Sequence, residues 1–93
     1  MGILSDSKNF QKILEFPDNR LMIDLCGQLD ENLSKIEHEI SVQILRRGNS
    51  FEISGEKDAC RVAEVVLKSL YSQLESGKTF EFGDIDAFIR MPG

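Results

Sequence analysis

No apolar run in this sequence approaches the ~20 residues of a membrane-spanning helix, and the charge is not that of a nucleic-acid glove. Sixteen acidic residues stand against eleven basic ones, for a formal net charge of −5. A chain of that sign can still carry a local basic patch, so nucleic-acid binding is narrowed to patches and not excluded. Cysteine is equally sparse. Cys26 and Cys60 lie far apart with no Cys-x-x-Cys spacing, which favours two reduced, partly buried thiols over a disulfide framework or a metal site. Met1–Ser7 is too short and too polar for a signal peptide. Asp6 stands where a myristoylated Gly2 would need Ser or Thr. The expected compartment is cytoplasmic, with no membrane partner.

What is present suffices for one small core. Leu, Ile, Val and Phe supply 29 of the 93 residues, about a third and well above the roughly 20% below which disorder is expected. Stability should be on the order of 5–10 kcal/mol.

Residues 1–9 are polar and read as a flexible arm. "FQKILEF" (Phe10–Phe16) alternates apolar and polar positions and stops at Pro17, as a short strand would. Leu21, Ile23 and Leu25 lie in one apolar segment that Asp18 or Asn19 can cap and Gly27 can end. The segment reads as a short helix, with a strand as the alternative because the run is brief. Leu33, Ile36 and Ile40 recur at helical spacing up to about Ser41, and Asp30 is placed to cap that second helix. Val42–Leu45 and Phe51–Ser54 flank Gly48-Asn49 as a hairpin, with Arg46 and Arg47 at its tip. The strongest element follows: Ala59, Val62, Ala63, Val66, Leu67, Leu70 and Leu74 hold one helical face until Gly77.

The predicted architecture is α+β: a β-α-α-β-β-α order, one small three-stranded sheet, and helices packed on one face. Residues 10–77 form the expected domain. Residues 78–93, with Phe80, Phe82, Phe88 and Ile89, read as an amphipathic tail leading toward a domain absent from the chain. Those four side chains are expected to pack on that domain or on another subunit.

Two resemblances rest on particular residues. The element order, with Gly27, Asp30, Leu33 and Ile36 in register, resembles the KH domain. There Gly-x-x-Gly-x-x-Ile-x-x-Ile joins the first two helices, and only the second glycine is replaced here. More specifically, Leu14-Glu15-Phe16-Pro17-Asp18-Asn19, Leu25-Cys26-Gly27 with Asp30-Glu31-Asn32-Leu33, Arg46-Arg47-Gly48-Asn49-Ser50-Phe51, and Leu70-Tyr71 together resemble the N-terminal region of the PhoH-like proteins. That family comprises phosphate-starvation-inducible bacterial P-loop ATPases, and the resemblance runs from about Ile13 to Ile89. It implies a KH-like module ahead of an ATPase domain. It also implies single-stranded RNA or a ribosomal RNA-associated protein as partner, besides the chain's own C-terminal ATPase domain. The sequence has no Gly-x-x-x-x-Gly-Lys-[Ser/Thr] loop, so the phosphate cradle is missing. ATP and Mg²⁺ belong to the absent domain, no cofactor is expected here, and this stretch is expected to be non-catalytic.

If RNA binds, Gly27, Gln28, Lys35, Arg46 and Arg47 are the candidate contacts, in the groove beside the helical pair and the second strand. Small residues and free amides at a helix start favour phosphate. Asp30 and Glu31 oppose it, at roughly 1–3 kcal/mol for each like-charge contact near 5 Å. Asp30 is therefore read as a helix cap in place of the second loop glycine. Arg46 and Arg47 are read as a solvated pair, with phosphate binding or docking to the ATPase domain as the functional alternative. His38 lies between two glutamates with no second ligand at useful spacing. Ser34 and Ser54 lack a histidine partner. The pairs Asp30-Glu31 and Asp84-Asp86 fit helix starts better than an acid–base dyad.

Overall fold

The computed structural model describes residues 10–90. The expected arm at 1–9 and the last three residues of the tail lie outside that range. The elements are β1 (Phe10–Glu15), α1 (Asn19–Cys26), α2 (Glu31–Ile40), β2 (Gln43–Arg47), β3 (Ser50–Gly55), α3 (Lys57–Glu75) and α4 (Ile85–Arg90), with 3₁₀ turns at Gln28–Asp30 and Phe82–Asp84. Through α3 this is the expected β-α-α-β-β-α order, in an α+β fold. A fourth helix is added.

The strands form one antiparallel sheet in the order β1-β3-β2. Leu14 lies opposite Phe51, and Ile44 opposite Ile53. The period of two sends these four side chains to the helical face, where all are buried. Ile13, Glu52 and Leu45 make the matching row on the other face. Arg46 and Arg47 do not sit at the hairpin tip as expected. They are the last two residues of β2, and the turn itself is Gly48-Asn49.

The segment before Gly27 is a helix. Its alternating leucines and isoleucine suggest a strand as readily, but burial follows helical spacing: Met22, Leu25 and Cys26 face inward, and Ile23 is left outside. Asp18 caps it, accepting a hydrogen bond from the Arg20 amide at 2.9 Å. The Arg20 side chain adds a second hydrogen bond that holds the Asp18 carboxyl below its usual range. α3 is the spine of the core. Cys60, Ala63, Val66, Leu67 and Leu70 are fully enclosed, against β1, β3 and α1.

The tail folds back onto the domain. Ile85 is fully buried in the same core, and Phe80, Phe88 and Ile89 pack against it, partly buried. The reason is the kink at Phe82–Asp84. The Glu81 amide donates to Asp84 Oδ2 at 2.9 Å, and a reciprocal capping box turns the chain back onto α2 and α3.

Candidate functional site

The turn joining α1 to α2 is built on an unusual backbone. Gly27 takes φ 80 and ψ 179, a region essentially reserved for glycine. Leu29 and Asp30 follow with φ 52 and 57, both left-handed and both carrying a Cβ that disfavours it. Asp30 occupies the residue before α2 but makes no side-chain capping hydrogen bond. This corrects the sequence reading. A capping side chain reaches the helix amides from an extended backbone, and the left-handed one aims it elsewhere. Asp30 thus takes a left-handed backbone before α2 and does not supply the chemistry of a cap.

Gly27 is held by packing. A Cβ there would lie 2.8 Å from Asn32 Nδ2. Asn32 is the buried polar residue of the described region, 5% exposed. Its Nδ2 donates to the Leu25 carbonyl at 3.1 Å, with a longer contact to the Asp24 carbonyl at 3.5 Å. Asn32 therefore satisfies the carbonyls that end α1, from inside α2. The Cβ side of Gly27 is thus filled by this amide. The signal was present in the sequence: Asn32 is four residues before Ile36 on the same helical face, a polar residue in an apolar stripe.

Around the turn the charge is negative. A cleft of about 620 Å³ opens between it and the strand of chain before α4, and its walls include Gly27, Gln28 and the carboxylates of Asp24, Glu31 and Glu81. Lys35, expected to reach phosphate, is 16% exposed and pairs with Asp86 Oδ1 at 3.3 Å. Its ammonium sits 4.5 Å over the Phe82 ring. The tail thus engages that cation within the chain. Glu37 closes another part of the expected groove: its Oε2 accepts from the Ile44 amide at 2.8 Å, on the outer edge of β2.

Arg46 does lie near the turn. The Cys26 thiol is pushed from 9.0 up to about 11 by burial, while the neighbouring Arg46 guanidinium pulls the other way. Arg46 Nε also donates to the Gly48 carbonyl at 3.2 Å. Neither Arg46 nor Arg47 forms an ion pair among the described residues. The structure therefore places Arg46 beside Cys26 at the end of α1, Gly27 and Gln28 in the cleft wall, and Lys35 against α4.

The β2–β3 turn is tied to the chain after β1. Asn49 Nδ2 donates to the Phe16 carbonyl at 2.6 Å, and the Phe16 amide donates to the Asn49 carbonyl at 2.9 Å. Tyr71 stacks on Phe16 at 4.4 Å and accepts the Asp18 amide through its hydroxyl at 2.9 Å. The chain between β1 and α1 is pinned from two sides. His38 is exposed and faces Glu39 at 3.9 Å. No cluster of three or more His, Cys, Asp or Glu side chains fit to hold a metal occurs among the described residues. Cys26 and Cys60 are both free and buried. No helix of the described residues is long and apolar enough to cross a membrane.

The comparisons with known proteins point one way. The chain is 34% identical over 59 residues to PhoH-like proteins of Mycobacterium tuberculosis and Mycobacterium bovis, which covers 63% of this chain. To the PhoH-like protein of Mycobacterium leprae it is 32% identical over 73 residues, or 78% of the chain. No family model matches, and no solved structure does. The matched segments span only 17–21% of those relatives' length. By sequence, then, this chain is homologous to one segment of the PhoH-like proteins.

Proposed function

We propose that this chain is a non-catalytic, KH-like module of a longer PhoH-like ATPase, and that it serves that protein by binding protein and not by clamping RNA through the α1–α2 turn. ATP and Mg²⁺ would be handled by a domain elsewhere in the protein, because the phosphate-cradling loop is absent from this sequence. The observation that carries the reading is the acidic, amide-packed surround of Gly27. Asn32 packs on the Cβ side of Gly27, and Asp24, Glu31 and Glu81 line the cleft beside it. One like-charge contact of roughly 1–3 kcal/mol weakens binding by about fivefold to more than a hundredfold.

Titration with single-stranded RNA at low salt, followed residue by residue by NMR, tests this. The expected result is no saturable shift at Gly27, Gln28 or Asn32. Saturable shifts there would overturn it. A second reading keeps RNA but moves it: Arg46 and Arg47 are exposed cations at the end of β2. In that case shifts would centre on Arg46, Arg47 and Gly48, leave the turn unmoved, and vanish steeply with salt.

A further inference from the structure

Leu29 breaks two rules at once. It is 100% exposed, and it holds a left-handed backbone, φ 52, that glycine would hold without strain. A lone exposed leucine is ordinary on a protein surface. This one is not alone. Two adjoining clefts share Phe82 and Glu31. Ile23 lines the first and Leu29 the second. Ile23 is 68% and Phe82 45% exposed, so three of the large apolar side chains left in water gather at one corner of the molecule. Contiguous exposed apolar surface of this kind marks an interaction site.

The rim has one sign. Asp24, Glu31 and Glu81 border the first cleft and Glu39 the second. The basic side chains there are Lys35 and His38. Lys35 is paired with Asp86, and His38 faces Glu39. A second copy of this chain would bring the same acids against themselves, and a nucleic acid would bring phosphates. A positively charged protein segment with large apolar anchors is the complementary occupant.

We infer that the α1–α2 corner, with Leu29 as its protruding anchor, docks a basic amphipathic protein segment. The segment carries Lys or Arg toward Asp24, Glu31 and Glu81, and a Leu- or Phe-sized side chain between Leu29, Ile23 and Phe82. This rests on the protein-binding reading above and specifies the chemistry of its partner.

The probe is a panel of peptides of about 15 residues. One set places Leu or Phe at helical spacing with Lys and Arg between. A second set replaces the bases with Glu, and a third replaces the anchors with Ser. Binding to the 93-residue chain is read by fluorescence anisotropy and by NMR shifts. Members of the basic, anchored set should bind saturably and shift Ile23, Leu29 and Phe82. Leu29→Ser should weaken them by about tenfold or more, Leu29→Met should restore most of the binding, and Glu31→Gln should weaken it and flatten its salt dependence. Leu29 makes no core contact, so these variants keep the fold, and an unchanged thermal transition verifies it. The inference falls if no basic, anchored peptide binds, if the acidic set binds as well, or if Leu29→Ser binds like the parent. It also falls if Leu29 instead mediates self-association on dilution analysis. RNA shifts at the turn would bring down the broader reading; absent RNA shifts with no peptide binding would remove only this inference.

Discussion

The α1–α2 turn and the β2–β3 turn carry the same sequence signal, a glycine followed by a polar amide residue, Gly27-Gln28 and Gly48-Asn49. Physically they are opposites. Gly27 has Asn32 packed against it, at 2.8 Å from where a Cβ would stand, whereas nothing lies within 4 Å of the corresponding position on Gly48. The first turn is bordered by carboxylates and the second follows two arginines. One glycine is required by crowding and conformation together, the other by conformation alone. A turn glycine therefore need not mark a ligand site.

The sharpest break of this comparison is alanine at both positions. Gly27→Ala should destabilise the chain by about 3 kcal/mol or more, since it joins a glycine-only backbone to a clash with a buried amide. Gly48→Ala, with φ 61 and open space around it, should cost only about 1 kcal/mol. Urea midpoints of the two variants read the difference directly. Equal costs would mean that Asn32 moves aside freely. The double variant Gly27→Ala with Asn32→Ala should cost less than the sum of the singles, because Asn32→Ala removes the amide that the added methyl would meet.

The acidic turn also buries a thiol, which gives it a pH dependence that the basic turn lacks. The folded Cys26 thiol titrates near 11 in place of 9.0, so folding favours its neutral form. That stability is complete below pH 9 and is lost as pH rises through about 11. The loss should reach about 2–3 kcal/mol, at roughly 1.4 kcal/mol per unit. Chemical denaturation across that range should show a flatter profile for Cys26→Ala than for the parent. Parallel profiles would place the titrating group elsewhere.

At the second turn the expected effect is smaller. Asn49→Ala removes the 2.6 Å hydrogen bond to the Phe16 carbonyl and should cost about 1–2 kcal/mol. Arg47→Ala, an exposed neighbour without an ion pair among the described residues, should change stability by less than about 0.5 kcal/mol. The contrast separates the turn's role in pinning Phe16 from any role of its charge.

How far the sequence reached can be judged at these same residues. The order of elements was legible because each apolar stripe has a clear period and ends at Pro17, Gly27, Ser41 or Gly77, where the chain does turn. The core face of α3 was legible for the same reason. The return of the tail was not. Phe80, Phe82 and Phe88 carry no periodicity that says which surface receives them, and the receiving elements, α2 with Lys35 and α3, are distant in sequence. Lys35 is the instructive miss. Its charge suggested phosphate, but its fate is decided by Asp86 and Phe82, which only tertiary folding brings to it. Asn32 was visible as a letter in a block. Its role as a lock on Gly27 needed three dimensions.

The smallest effect is the most discriminating about the turn itself. A capping aspartate replaced by glycine loses a few tenths of a kcal/mol, so a cap at Asp30 predicts slight destabilisation. The observed backbone predicts the reverse. Asp30 holds φ 57 with no capping hydrogen bond, and glycine adopts that conformation without the Cβ penalty. Part of the gain is returned through the greater freedom of glycine in the unfolded chain. Asp30→Gly should therefore stabilise by about 0.5 kcal/mol, and Leu29→Gly by a similar or slightly larger amount, since leucine tolerates the left-handed region less well than aspartate. Thermal melts of both variants measure it, with Gly48→Ala as the opposite-sign control. If Asp30→Gly destabilises, the side chain contributes more than its geometry shows. If it stabilises while RNA still leaves the turn unshifted, restoring the glycine of the KH pattern does not restore a phosphate site, and the carboxylates of Asp24, Glu31 and Glu81 are what stand in its way.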